Sequence, residues 1–193
     1  GSKYTVSDFF EVNNNRYETK LDDSDIVSFI SMSSVSEISK AIQFEDAKNF
    51  IQVKKGYTPI RNGDLIVAKI TPCYENGKLA IVNISRPFAY GSTEFHTFRC
   101  ENKDLITLLY YYLQTSNVTK NGAASMKGAA GQKRVPDSFF KALPFAKVET
   151  TDISFFCNFI ARVNKQRSSL ANQLNVFEST IKSLQHQAFT KGF

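Results

Sequence analysis

The chain has 193 residues, of which 42% are hydrophobic, and its 17 Phe and 8 Tyr can build a core without any Trp. That length and composition predict one well-packed domain with an appendage, and they contain no internal repeat or low-complexity linker. The formal net charge of +6 favours an anionic partner such as nucleic acid. A basic surface that serves only solubility is the alternative.

Cysteine and histidine content argues against several classes of site. Cys73, Cys100 and Cys157 are too few and too scattered for a disulfide framework, and no CxxC pair occurs. The two histidines, His96 and His186, have no neighbouring ligands at metal spacing. No signal peptide and no membrane-spanning apolar run is evident. We therefore expect a cytoplasmic protein with reduced thiols, no metal, no cofactor and no membrane contact.

Residues 3–148 are predicted to mix short strands with helices. Three strand patterns lie in this region, at 64–70, 79–84 and 94–100. A helical pattern follows at 103–115. A turn at 61–63 introduces the first strand, and Asn76-Gly77 is a hairpin signal between the first two. Asn102 is a suitable cap for the helix. Asp64, beside the 61–63 turn, is expected to be structural.

The segment 128–136 has the composition of a phosphate-binding loop. Two glycines, Gly128 and Gly131, precede Gln132, Lys133 and Arg134. Glycine lets the backbone approach a partner closely, and free N–H groups beside cations suit a phosphate backbone. The surrounding segment 118–141 carries five cations and one anion. A solvated basic loop is the alternative.

Residues 152–189 are predicted to form one long helix. Apolar residues recur there at alternating spacings of four and three, which is a heptad seam. The seam consists of Phe156, Ile160, Val163, Arg167, Leu170, Leu174, Phe177, Ile181, Leu184 and Ala188. The segment 156–188 would be about 50 Å long, so we expect part of the seam to pair with another helix as a coiled coil. An amphipathic helix lying on its own domain is the alternative.

Signatures of catalysis are missing from the sequence. No GxxxxGK[ST] element and no glycine-rich loop after a strand occurs, and there is no Asn-Pro-Pro-aromatic element of the kind that amino-methyltransferases use. Glu94 and His96 share one strand face, but such a pair is more often a structural hydrogen bond than an acid–base pair. The chain is therefore expected to be a non-catalytic reader.

Several ordered motifs resemble the specificity subunits of type I restriction–modification systems. These are the segment 63–73 followed by Glu75-Asn76-Gly77-Lys78, then 91–96, then 128–136. Leu143-Pro144-Phe145 resembles the entry to that family's conserved helix, and 183–189 resembles the end of that helix. The segment 146–151 departs from the family's usual helix entry, which leaves methyltransferase docking less defined.

The resemblance implies a fold and a set of partners. The expected fold is α+β: a mixed, largely antiparallel twisted-sheet recognition domain at 3–148 with flanking helices, followed by one long coiled-coil-forming helix at 152–189. Such subunits read one half of a split site in double-stranded DNA and direct methyltransferase subunits and a restriction subunit to it. A complete subunit has two recognition domains, so this chain is expected to be a half-subunit, paired with itself or another half, or a fragment.

Candidate DNA-contacting residues are taken from the basic and polar turns. Phosphate contacts are assigned to Lys69, Lys78, Lys127, Lys133 and Arg134, with the backbone at Gly128 and Gly131. Base reading is assigned to Tyr74, Glu75, Asn76, Ser92, Thr93 and Gln132, because polar and planar groups on loops can bind base edges.

Two other classes stay open on the sequence alone. One is the recognition domain of a fused restriction–modification enzyme, which needs a catalytic domain upstream of Lys3. The other is a coiled-coil interaction module whose basic loop has no DNA-reading role. Sequence-selective DNA binding excludes the second class, and the intact reading frame decides the first.

Overall fold

The computed structural model describes residues 3–14, 20–129 and 131–191. The chain divides into two compact units, Gly1–Val148 and Glu149–Phe193. The first unit holds the strands β1 to β8, in order Glu11–Val12, Ile26–Ile30, Asp46–Asn49, Thr58–Ile60, Leu65–Ala68, Leu79–Ile81, Ala89–Gly91 and Phe95–Arg99. Its helices α1 to α4 are Phe50–Val53, Lys103–Leu113, Ser116–Ala124 and Asp137–Lys141, and a short 3-10 turn is at Val6–Asp8.

The strands form two four-stranded sheets. The first sheet has the order β1-β8-β5-β6, and the second has the order β3-β2-β7-β4. Among the described strands, only β2 and β7 pair in parallel, and the other pairings are antiparallel. The mixed, largely antiparallel α+β class is therefore confirmed, and the described strands divide between two sheets.

Strand β5 is buried on both faces, which explains its continuous apolar sequence. Leu65 and Val67 belong to a core cluster that also includes Leu109 of α2 and Phe140 of α4. The side chain between them, Ile66, points the opposite way and belongs to a cluster between the two sheets. That second cluster joins Ile66 and Phe95 of the first sheet to residues of the second sheet, among them Ile30, Ile60 and Ala89.

An ion pair fixes the beginning of β5 to the end of β8. The Arg99 Nε and Nη2 atoms donate to the two carboxylate oxygens of Asp64 at 2.8 and 2.6 Å. Asp64 is 2% exposed, and it also accepts a hydrogen bond from the backbone N–H of Arg61. The bidentate geometry satisfies a carboxylate that would be costly to bury alone. The expectation that Asp64 is structural agrees with this placement.

The predicted elements of the first unit are found with shorter bounds. The strands expected at 64–70, 79–84 and 94–100 are β5, β6 and β8, and the helix expected at 103–115 is α2. The Asn102 side chain accepts hydrogen bonds from the backbone N–H groups of Asp104 and Leu105, which confirms it as the cap. Gly77 closes the β5–β6 hairpin with a φ of 70°, as the Asn-Gly signal indicated.

The second unit is the single helix α5, Thr150–Lys191. Its 42 residues correspond to about 63 Å at 1.5 Å per residue. The helix contains the whole predicted segment 152–189 and begins two residues earlier. Within the described residues, no helix combines the length and the hydrophobicity needed to cross a membrane.

Candidate nucleic-acid interface

Loops that are far apart in the sequence meet at one end of the two sheets. β2 and β7 run in parallel towards this end, and β4 begins there opposite Gly91. In the first sheet, β5 ends opposite Phe95, the first residue of β8. We call this surface the loop end and define it as residues 31–42, 54–58, 69–78, 92–94 and 127–134, with Ala130 outside the described residues. A rigid scaffold that presents loops at one end is a common arrangement for binding sites.

Backbone hydrogen bonds tie these loops to one another. The Ser92 N–H donates to the Ile30 carbonyl at 3.0 Å, which joins the ends of β7 and β2. The Lys69 N–H donates to the Glu94 carbonyl at 2.9 Å. The Thr71 N–H donates to the Lys133 carbonyl at 3.0 Å, which attaches the basic loop to the segment that follows β5. The loop end is therefore a preorganised surface.

The basic loop forms a small hairpin. Lys127 and Arg134 exchange two backbone hydrogen bonds of 3.0 and 2.9 Å and thus close the loop between them. Gly128 has a φ of 127°, and a Cβ atom there would lie 2.8 Å from the Gln132 carbonyl oxygen. Gly131 has a φ of 80°. Both positions need glycine, so the glycines chosen from the sequence shape the loop as well as exposing its backbone.

Arg134 is held by an acidic neighbour. Its Nε and Nη2 atoms donate to the Glu94 carboxylate at 2.9 and 2.7 Å, and its Nη1 atom donates to the Gln132 carbonyl. Hydrogen bonding from Arg134 holds the pKa of Glu94 below its ordinary value. The Arg134 guanidinium therefore braces the basic loop in this structure, and its role as a phosphate contact stays a prediction. Glu94 is thus a structural partner of Arg134.

Lysine ammonium groups supply the positive charge of this region. Lys127 and Lys133 are exposed on the two arms of the basic loop, with Gln132 exposed beside them. Lys69 is half-buried and lines a surface hollow of about 300 Å³ together with Thr93. Flexible ammonium groups at the surface suit contacts with phosphate oxygens.

The predicted base-reading residues of the turn at 71–78 fall into two groups. Glu75 and Asn76 are exposed, although Glu75 accepts a hydrogen bond from the Thr71 hydroxyl and Asn76 donates to Glu37. Lys78 is half-buried, and its ammonium donates to the Met32 carbonyl at 3.2 Å. Because that bond holds its half-buried ammonium against the segment 31–42, Lys78 is less free to reach a phosphate than the exposed Lys127 or Lys133.

Tyr74 requires a correction. Its side chain is 4% exposed, and its hydroxyl donates to the Val118 carbonyl at 3.2 Å. Burial raises the pKa of Tyr74 to about 12. The ring packs in the first core cluster near Phe140, so Tyr74 supports the turn and cannot touch a base edge. Gly122 on α3 leaves room for its hydroxyl, since a Cβ there would overlap that group.

The turn at 92–94 contributes small polar groups. The Ser92 hydroxyl accepts a hydrogen bond from the Glu94 N–H at 3.2 Å, so Ser92 shapes this turn. Thr93 is exposed at its tip. Of the two predicted base readers, Thr93 therefore has the freer side chain.

Sequence reasoning missed two segments of the loop end. The segment 54–58 places Lys55, Gly56 and Tyr57 at the surface, and Gly56 and Tyr57 line the same hollow as Lys69. A basic pair followed by glycine and an aromatic residue was the available signal. The second segment, 31–42, carries no basic cluster and could be placed only by the folded structure.

A buried histidine anchors the exit of the basic loop. The Asn13 Oδ1 atom accepts from the Thr97 N–H at 3.0 Å, which leaves Asn13 Nδ2 to donate to His96 Nδ1 at 2.9 Å. His96 Nε2 then donates to the Val135 carbonyl at 2.8 Å. This chain of bonds requires the neutral imidazole, and burial lowers the pKa of His96.

The heptad seam of α5 forms an exposed apolar stripe in its second half. Leu170, Leu174, Phe177, Ile181 and Leu184 are each more than half exposed, with values from 54 to 65%. Phe156, Ile160 and Val163 are half-buried, and Arg167 is exposed.

No group of three or more potential metal-ligating side chains occurs in the part of the chain that the structure describes.

Residues 2–146 match the family model for the type I restriction modification DNA specificity domain. The chain belongs to this family. The resemblance inferred from the sequence motifs is thereby confirmed, and the match covers the first unit with its loop end. The family consists of specificity domains, which are distinct from the catalytic subunits of these systems.

Two curated relatives from Escherichia coli are specificity subunits of type I restriction enzymes. The EcoAI subunit is 41% identical over 126 residues, and the EcoEI subunit is 36% identical over 125 residues. Each match covers 64% of this chain and 21% of the relative. The chain thus spans about a fifth of the aligned relatives' length.

Solved structures share the fold of this specificity-domain protein. One, from work on complex assembly and conformational transition of the type I R-M system, has a TM-score of 0.60 at 16% identity and covers 96% of this chain and 50% of that chain. The HsdS subunit from Thermoanaerobacter tengcongensis has a TM-score of 0.56 at 17% identity, covering 90% and 48%. The S subunit from M. genitalium has a TM-score of 0.55 at 13% identity, covering 97% and 45%.

The His96 network makes the stability of the specificity domain depend on pH. Because the folded-state pKa lies below the unfolded value of about 6.5, the unfolded chain binds the proton first as the pH falls. The contribution of neutral His96 to the free energy of unfolding is therefore complete above about pH 6.5. Below that pH it declines by at most about 1.4 kcal/mol per pH unit, until the pKa of the folded state is reached. Urea unfolding of the wild-type chain and of His96→Gln from pH 8 to about pH 5 measures this effect. Parallel pH profiles for the two proteins would contradict the assignment of a buried neutral His96.

Proposed function

We propose that this chain reads one half of a bipartite DNA site as the target recognition domain of a type I restriction–modification specificity subunit, in the cytoplasm. Family membership supports DNA specificity, and the observation that carries the proposal is the gathering of the family-like turns at the loop end. The segments 69–78, 92–94 and 127–134 are separate in the sequence and hydrogen-bonded together in the fold.

Two kinds of contact are assigned to different parts of the loop end. Lys69, Lys127 and Lys133 bind phosphate oxygens and set the position of the domain on the duplex. Asn76, Thr93 and Gln132 face the bases, because an amide or hydroxyl can distinguish donor and acceptor patterns in the major groove. Glu94 holds Arg134 in place, which keeps the basic loop in the shape required for both kinds of contact.

The long helix gives this reader its spacing and its partners. We propose that the exposed seam of α5 pairs with a second long helix, from another copy of the chain or another specificity half-subunit. Burial of the stripe from Leu170 to Leu184 would supply the driving force. Two recognition domains held apart by paired helices would read the two halves of a split site. Methyltransferase subunits, and through them a restriction subunit, would dock on this assembly.

Removal of the exposed lysines is expected to weaken binding to any duplex and to reduce its salt dependence. The Lys127→Ala/Lys133→Ala double variant removes two phosphate contacts, so the slope of log K against log salt should fall by about 1.8. Fluorescence anisotropy with a short labelled duplex between about 50 and about 200 mM salt measures this slope. Lys103→Ala is the matched control, because Lys103 is exposed beyond the opposite end of β8. An unchanged slope in the double variant would exclude the basic loop from the interface.

Helix pairing is tested by the mass of the chain in solution. Light scattering is expected to give twice the 21.7 kDa of one chain for the wild type and one chain for Leu174→Lys. Asn172→Lys adds the same charge on the opposite side of the helix, where residues two apart are about 200° separated, and should keep the two-chain mass. A one-chain mass for the wild type at tens of micromolar would contradict self-pairing.

A further inference from the structure

An isoleucine in the loop end is almost fully exposed. Ile38 is 90% exposed, which exceeds every other described large apolar side chain of the first unit. Isolated exposed apolar residues are common, so this exposure alone assigns no role. What distinguishes Ile38 is the loop that presents it.

The tip of this loop is held in one conformation by its own hydrogen bonds. The Ser36 hydroxyl accepts from the backbone N–H groups of Ile38 and Ser39 at 3.2 and 3.1 Å. The Ser36 N–H donates to the Ala41 carbonyl, and the Lys40 N–H donates to the Ser36 carbonyl. Below the tip, Val35 is fully buried in the cluster between the two sheets. A flexible loop would let Ile38 fold back onto the surface, whereas this tip holds the side chain outward.

The same tip is fastened to the turn at 71–78. Lys40 Nζ donates to the carbonyls of Asn76 and Gly77 at 3.0 and 2.7 Å. The Asn76 Nδ2 atom donates to a Glu37 carboxylate oxygen at 3.0 Å. Ile38 therefore lies on a ridge that continues into the turn assigned to base reading.

Local charge indicates which part of a duplex this ridge meets. The lysine of the tip, Lys40, has its ammonium directed to two carbonyl oxygens, and Glu37 places a negative charge beside it. A carboxylate and an occupied ammonium are unsuited to a phosphate backbone. An outward aliphatic side chain is suited to the one apolar group in the major groove, the 5-methyl group of thymine.

We propose that Ile38 is a specificity-determining residue that contacts a thymine methyl group in the half-site, an inference that rests on the proposed function. The braced tip places the aliphatic side chain against the floor of the groove while the lysines of the basic loop bind phosphates. Ile38 contributes discrimination at a single A·T base pair and little to binding elsewhere.

The test combines a protein variant with a change of one methyl group in DNA. The wild-type chain first selects its preferred half-site from a randomised duplex library. Each thymine of the recovered site is then replaced by uracil, which removes only the 5-methyl group. At one position, the replacement should weaken wild-type binding about fourfold, the value expected for one buried methyl group. Ile38→Ala should bind the thymine and uracil duplexes equally.

Ile26→Ala is the matched control. Ile26 is 52% exposed at the beginning of β2, the end of that strand opposite the loop end, and its variant should keep the fourfold preference for thymine. An Ile38→Ala variant that keeps the preference, or that loses affinity equally for every duplex, would overturn the proposal and leave the proposed function intact. A recovered site without an A·T pair would also overturn the proposal and leave the proposed function intact. If no site is enriched by the wild-type chain, the proposed function and this inference both fail.

Discussion

Burial of β5 on both faces is the constraint on which the rest of the first unit depends. Leu65 and Val67 pack towards α2 and α4, and Ile66 packs towards the second sheet, so one strand holds three layers together. Asp64 fixes the beginning of this strand through Arg99. Because the strand cannot shift by one residue without exchanging its two faces, its end at Ala68 is fixed as well. Lys69 and the turn at 71–78 therefore leave the core at a defined place.

The loop end is rigid because hydrogen bonds attach its loops to that core. Thr71 holds the basic loop through the Lys133 carbonyl, His96 holds the Val135 carbonyl, and Glu94 holds Arg134. These bonds pair polar groups of the loop with one another. The ammonium groups of Lys127 and Lys133 stay exposed. Preorganisation lowers the entropy lost on binding, so a reader built this way can discriminate sequences with few direct contacts.

Local sequence patterns predicted the elements that carry their own signals. A clear apolar period with turn or cap signals marks β5, β6, β8, α2 and α5. The family motifs indicated the recognition fold. The second sheet escaped prediction because β2 and β7 pair in parallel across a long stretch of chain, so no local hairpin signal marks the pairing. The burial of Tyr74 could not be predicted, because a sequence shows residue type and spacing but not a tertiary partner such as the Val118 carbonyl. Hydrogen bonds with residues 76–78 place the segment 31–42 at the loop end, and no local sequence pattern indicates these bonds.

The most direct test of a DNA-reading loop end is hydrogen exchange of the chain with and without its selected duplex. Slowed exchange should appear in the peptides covering 31–42, 54–58, 69–78, 92–94 and 127–134. The opposite end of the sheets, formed by 61–64, 82–88 and 100–102, should exchange at the same rate in both states. Protection confined to that opposite end, or to α5 alone, would contradict the account.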